Sequence, residues 1–301
     1  MATFKAVNVD QLDTDLTNIA SAIKTKSGIS ENLEFPNGFI DAVNSIAVGD
    51  EEVQNLVKKA QTHDFIQEQL INYKNTSSCP LFVNNPNITE IPDFDFSQVK
   101  NFYRMFFNCT GLLSVPLIDT SNGENFTEAF RNCTSLTTIP PLNTQKATTM
   151  NRMFNNYKGQ TLSWTINTDN VTDFDVMFEG ASNIEEVKLT STFNGTTFYR
   201  TFIYCSKLKT ISTLDLSNCI NTEKMLDNCP KLENISFVPN SIKISISIAA
   251  SPFLTAESVQ SIIDGLAVVE SSQVLTLHSE VKSKLTTEQL TTIANKNWSV
   301  A

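Results

Sequence analysis

The sequence predicts an α/β repeat protein: a solenoid of 24-residue coils, one short strand and one short helix in each, between an N-terminal helical module and a C-terminal α/β cap. Three observations carry this expectation. Apolar residues recur at a step of 24, polar runs recur at the same step, and both ends of the chain depart from the pattern. Phe106 is followed by Phe130, Phe154, Phe178, Phe202 and Leu226, and Phe102 by Phe126, Met150, Phe174, Phe198 and Thr222. Further columns run from Cys109 through Cys133, Tyr157, Ala181, Cys205 and Cys229, and from Leu112 through Leu136, Gln160, Ile184, Leu208 and Leu232. Val115, Ile139, Val187, Ile211 and Ile235 share another, which fails at Ser163. Phe82, Ile88, Ile91 and Phe94 form a weaker first copy.

Within one unit, Phe at i and i+4 with Met105, Met153, Met177 or Met225 beside it predicts one apolar face of a short helix. The β-branched stretch that follows, bounded by Pro, Asn, Asp and Ser, predicts one strand per coil. The runs DTSN, NTQK, NTDN and DLSN are the turns that close the coils. One coil cannot bury its own apolar face, so coils stack at about 4.8 Å and each Phe packs on the next. A period of 24 lies in the leucine-rich-repeat range. Ten of the 20 Phe residues fall in the two Phe columns, which marks those columns as core.

The six cysteines do not follow zinc-site spacing, and His63 and His278 are the only histidines. The cysteine column fits small buried thiols stacked turn on turn. Disulfides between Cys109 and Cys133 or between Cys205 and Cys229 are the competing reading. Cys79 and Cys219 lie outside the column. Asn108, Asn132 and Asn228 precede it and are placed to bond neighbouring turns.

The array is expected over 76–250. Beyond it, Thr255 precedes Val259, Ile262, Ile263 and Leu266 at helical spacing. VLTLHS then reads as a strand and LTTEQLTTIANKNW as a second helix with Thr286 near its start, so 251–301 is the cap, plugged by Trp298. At the other end, Leu12, Leu16, Ile19 and Ile23 make one helical face ended by Gly28, and Phe39 to Ile46 a second short helix; 1–50 is thus a small helical module. Residues 51–75 form a connecting helix that either caps the array or pairs with copies of itself.

Charge and composition bound the function. The net charge is −10 with no basic stripe, so a nucleic-acid partner is not expected. No apolar run approaches the ~18 residues of a membrane span. The N-terminus lacks the pattern of a secretory signal. No cofactor or metal is expected. Asp169, Asp173 and Asp175 form the nearest acidic cluster, with Asp93 and Asp95 next. Both fall in turns, so solvated turn carboxylates outrank weak Ca²⁺ binding or a hydrolase pair, and the protein is not expected to be an enzyme.

The unit MFxNCxxLxxIPxLDTS, as in Met105–Ser121 and Ala129–Thr144, resembles BspA-type leucine-rich repeat surface proteins over about 80–240. LTAESVQSII with VLTLHSEVKSKLTTEQLTTIANKNWSV resembles the usual end of such arrays. The opening LTNIASAIKTKSG…LEFPNGFIDAVNSI resembles the N-terminal segment of tail and baseplate-associated proteins of phages and prophages of Gram-positive bacteria. Together the resemblances imply a receptor-binding protein at the virion tail tip or baseplate. It would be attached to other tail proteins through 1–50 and would bind a glycan or protein on the bacterial cell surface through the solenoid. Phage tip proteins are often trimers, which makes a homotrimer the natural assembly to test. A bacterial surface adhesin and a purely structural tail component are the alternatives.

The ligand-binding face is expected on the outward positions of the strand column: Thr138, Trp164, Glu186, Lys188, Lys209, Thr210 and Asn234. Trp164 has two readings, an exposed platform for sugar stacking or a filler of the irregular third coil. In that coil Leu162, Trp164 and Ile166 alternate as in a strand.

Overall fold

The computed structural model describes residues 82–91 and 94–301. By internal contacts the chain divides into two units: Met1–Gln69 with Pro92–Phe94, and Leu70–Ile91 with Asp95–Ala301. The N-terminal module, the connecting helix, Cys79 and Asp93 lie outside the described residues. All the described helices and strands belong to the second unit.

From Phe102 onward, each 24-residue unit is bonded to the next by its backbone. The N–H groups of Phe102, Arg104, Phe106 and Asn108 donate to the carbonyls of Asn125, Thr127, Ala129 and Arg131 at 2.8–3.0 Å. The same four bonds recur in every unit until Phe198, Arg200, Phe202 and Tyr204 donate to Asn221, Glu223, Met225 and Asp227. Beside them, parallel bridges join Asn101, Asn125, Thr149, Asp173, Thr197 and Asn221 in one register.

The helix expected at the Phe spacing is not there; this segment is a run of turns. Every unit carries two residues with φ near +60°, for example Arg104 and Asn108, Glu128 and Asn132, Val176 and Gly180. A left-handed residue ends an α-helix at once. In return, its alternation with right-handed residues aims every second N–H at the next unit, so the bonds a helix would keep internal run between units instead. Asn suits the second position because it tolerates φ > 0. Arg, Glu, Val and Lys at the first position do not, and are held there by the bonds on either side.

The strand segment differs too. In the strand column of the array the described strands are β1 (Glu186–Val187) and β2 (Thr210–Ile211), two residues each and parallel. Single bridges Glu90↔Ser114, Thr161↔Glu186 and Thr210↔Asn234 extend the pairing. The third coil bonds to the strand segment before it through side chains: the Tyr157 hydroxyl donates to the Thr137 carbonyl at 3.0 Å and Trp164 Nε1 to the Ile139 carbonyl at 3.3 Å. Leu162, Trp164 and Ile166 are buried while Thr161, Ser163 and Thr165 are exposed, the alternation of a strand.

Between the two segments lies the core. Phe82, Phe106, Phe130, Phe154, Phe178 and Phe202 form one continuous ring stack with centroids 5.2–6.1 Å apart. The second column pairs Phe102 with Phe126 at 4.9 Å and Phe174 with Phe198 at 4.7 Å, and Met150 fills the gap. The five described cysteines are free and buried. Each column thiol donates to a carbonyl of the preceding unit: Cys109 to Phe82, Cys133 to Phe106, Cys205 to Phe178 and Cys229 to Phe202. In the third and fourth units the column holds Tyr157 and Ala181 instead.

A buried threonine column closes each unit on the far side. The hydroxyls of Thr120, Thr144, Thr168 and Thr192 donate to the carbonyls of Asn143, Asn167, Ser191 and Asp215 of the following unit. The turn residues Asp119, Asn143, Asn167 and Asp215 accept from the N–H two residues on, the local bond that makes Asx a turn former.

The array meets different chemistry at its C-terminal end. Helix α1 (Ala256–Gly265), N-capped by Thr255, offers the hydroxyls of Ser258 and Ser261 to the N–H groups of Ile235 and Phe237. A parallel sheet follows in the order β3 (Ile246–Ile248), β4 (Gln273–Leu277), β5 (Trp298–Val300). The short helix α2 (Ser279–Lys282) follows β4. Helix α3 (Thr287–Asn295) starts at a capping box of Thr286 and Gln289. Trp298 is buried, its Nε1 donating to the Ala267 carbonyl at 2.8 Å. β5 and α2 extend the elements expected from the sequence.

Candidate binding surfaces

The strand column places three of the expected face residues in direct register: Glu186 pairs with Thr210, and Thr210 bridges to Asn234. Glu186 and Thr210 are half-buried and Asn234 is exposed. Lys188 reaches back to Glu186 at 2.7 Å, and Lys209 reaches across one unit to Glu185 at 2.8 Å. That bond holds the Glu185 carboxyl below its usual range and the Lys209 ammonium above its own. All four side chains are solvent-exposed by two-fifths or more, so the pairs orient charge rather than stabilise the fold. Thr138 is exposed but joins this column through no described backbone bridge.

Trp164 leaves the set. It is only 8% exposed and its Nε1 is spent on Ile139. In the third coil the strand needs a partner for the preceding unit's carbonyls, and the indole supplies it while filling the core; a ring in that position offers no face to a sugar.

The acidic cluster is likewise committed. Asp173 accepts from the Asp175 N–H and from Asn151 Nδ2, and Asp175 accepts from the Thr197 hydroxyl and the Tyr199 N–H. Burial pushes the Asp175 carboxyl up despite those bonds. Asp169 accepts from the Thr190 hydroxyl at 2.6 Å. Among the described residues no group of three or more His, Cys, Asp or Glu is spaced to hold a metal ion. The buried thiols are pushed up by desolvation, Cys109 and Cys219 to about 11 and Cys229 to about 12. At neutral pH they are neutral core groups, not nucleophiles.

Two features of the surface were not foreseen. On the turn segment, the buried Glu128 carboxylate takes Arg104 at 2.6 Å and Arg131 at 2.9 Å, and Phe107 lies under both guanidinium groups. Near the last unit, Tyr204, Ser206, Asn228, Pro230 and Ala250 line a cavity of about 500 Å³. No column pointed to it, because it arises where the columns end.

Parallel 24-residue units bonded rung to rung, with shared ring, thiol and threonine columns, define a repeat protein. The particular family is the one described as "Mycoplasma protein of unknown function, DUF285", a family of BspA-like repeats. It matches residues 74–190 and 124–237, together more than half the chain, and the protein belongs to it. No curated protein and no solved structure matches the chain. None of the described helices is long and apolar enough to cross a membrane.

Proposed function

We propose that the stacked units form a leucine-rich-repeat-like solenoid over 76–250, capped by 251–301, that serves as a non-enzymatic recognition module for a bacterial cell-surface ligand. In this reading the protein belongs to a phage or prophage tail and residues 1–50 attach it there. One observation carries the recognition half. Inward positions are fixed by ring, thiol and hydroxyl columns, while the outward strand positions Glu186, Thr210 and Asn234 are aligned in register, differ in chemistry and are flanked by the oriented charges of Lys188 and Lys209. A rigid scaffold with a variable row of side chains suits binding. The tail half rests on the N-terminal resemblance alone. A surface adhesin is the second reading, favoured by the family match, which covers the array but not residues 1–73.

The test uses the full chain. Labelled protein should decorate the host bacterium and compete with adsorption of the parent phage. The combined reversal Glu186→Lys, Lys188→Glu, Lys209→Glu should weaken decoration at least about tenfold, or about 1.4 kcal/mol, with an unchanged melting temperature. Decoration without competition would favour the adhesin. Incorporation into tails without decoration would leave a structural component.

A further inference from the structure

We infer that the cavity at the last unit is a subsite for a neutral saccharide. The argument starts from the asparagine column. In the six units before it, the backbone N–H of this column donates to the next unit: Asn84, Asn108, Asn132, Asn156, Gly180 and Tyr204 donate to Phe107, Arg131, Asn155, Glu179, Ile203 and Asp227. The side-chain amides also run rung to rung, from Asn156 to Asn132 to Asn108 to Asn84 at 2.7–2.8 Å. Asn228 occupies the same column with the same left-handed backbone, φ 56°. It has no unit of the same kind beyond it and, among the described residues, no hydrogen bond. The residue is exposed and lines the cavity.

The rest of the lining supplies the complement. Tyr204 stands where the ladder would place an amide, and half of it is exposed. Its ring is an apolar plane with a polar tip. The Ser206 hydroxyl donates to the Ser182 carbonyl at 3.2 Å and keeps its oxygen as an acceptor, and Pro230 and Ala250 add apolar lining. An amide that both donates and accepts matches vicinal hydroxyls, which do the same. An exposed ring matches the C–H face of a pyranose. The site is an open surface depression of about 500 Å³.

Charge selects among ligands. None of the five lining residues is charged. The two cations next to lining residues in sequence are engaged elsewhere: Lys207 donates to Asn183 Oδ1 at 2.9 Å, and Lys231 lies over the Phe253 ring at 5.4 Å. A phosphate or carboxylate would find no counter-ion here, and the chain's net charge of −10 opposes an anionic polymer. This assignment rests on the reading of the array as a binding module. It names the ligand chemistry and adds a contact at the end of the array to the one on the strand column, sharing no residue with the expected face.

The test is calorimetric titration of the full chain with neutral oligosaccharides built from glucose, galactose, rhamnose or N-acetylglucosamine, and with a glycerol-phosphate oligomer as the acidic comparison. Tyr204→Asn and Asn228→Gly remove the ring and the amide while suiting the positive φ of 63° and 56°. Ser206→Ala is a third variant at an exposed site, should either of the others unfold. Saturable binding of at least one neutral oligosaccharide is expected, weakened about tenfold or more by Tyr204→Asn and Asn228→Gly and unchanged by Lys209→Glu. No neutral binding up to about 10 mM, preference for the acidic oligomer, or unchanged affinity in the lining variants would overturn the assignment. Cells decorated while every oligosaccharide is ignored would remove the saccharide subsite and leave the recognition reading standing. Oligosaccharide bound while cells are ignored would do the reverse.

Discussion

The turn segment and the strand segment of each unit are assembled on different terms. The turn segment makes four backbone bonds to its successor in every unit from Phe102 to Tyr204. The strand segment pairs only in places, and the third coil is bonded to the strand segment before it through the Tyr157 and Trp164 side chains. The turn side therefore holds the register and the ring stacks, while the strand side has latitude to vary. That division makes a strand-side surface suitable for recognition: substitutions there disturb few shared bonds.

The comparison breaks first in the core under the turn segment. Phe154 sits between Phe130 at 6.1 Å and Phe178 at 5.4 Å. Phe154→Ala should cost about 3–5 kcal/mol, read by urea denaturation, whereas Phe193→Ala, at a half-exposed ring, should cost less than about 0.5 kcal/mol. Equal losses would mean that the stack does not hold the units.

The thiols give the next effect, as a pH dependence. In the folded protein Cys109 titrates at about 11 and Cys229 at about 12, against an ordinary value of 9.0. Above pH 9 the unfolded chain has lost these protons and the folded chain keeps them, so unfolding releases protons and stability falls as pH rises toward 11–12. Each such thiol contributes up to about 1.4 kcal/mol per pH unit in that window. The melting temperature should drop between pH 9 and 11, and Cys229→Ala should flatten the drop. An unchanged slope would place Cys229 in contact with solvent.

The smallest effect sharpens the strand side. Tyr157→Phe keeps the buried ring and removes only the bond to Thr137. A loss of about 0.5–1.5 kcal/mol is expected, with faster amide exchange around Thr137–Ile139 and little change at Asn132 or Asn156, whose bonds lie on the turn ladder. Uniform exchange changes would mean that the two segments do not act separately.

Much of the core was legible because volume and apolarity recur at one step: the Phe, Cys and Leu columns are buried except at Gln160, where the third coil departs from the pattern. The capping threonines Thr255 and Thr286 were legible from local chemistry. The turns were not, because Phe at i and i+4 fits a helix equally well, and residues such as Arg104, Glu128 and Val176 do not advertise φ > 0. Thr120, Thr144 and Thr168 were hidden inside runs read as closing turns, and Thr192 lies in STFN, which was not among those runs. Trp164 was legible as a departure but not as a hydrogen-bond donor to the preceding coil. Of the amides expected to bond neighbouring turns, Asn108 and Asn132 do so and Asn228 does not, because nothing of the same kind follows it.

The backbone N–H rungs of the turn segment at Phe102–Asn108 and their equivalents donate in one direction, toward the C-terminus. Such an array has a head and a tail, and the two ends are not interchangeable. A duplicated stretch of 24 residues can be spliced in between any two rungs and find every donor and acceptor waiting. A stretch of 23 would put each N–H opposite the wrong atom. A change of length that keeps these bonds therefore comes in whole 24-residue units only.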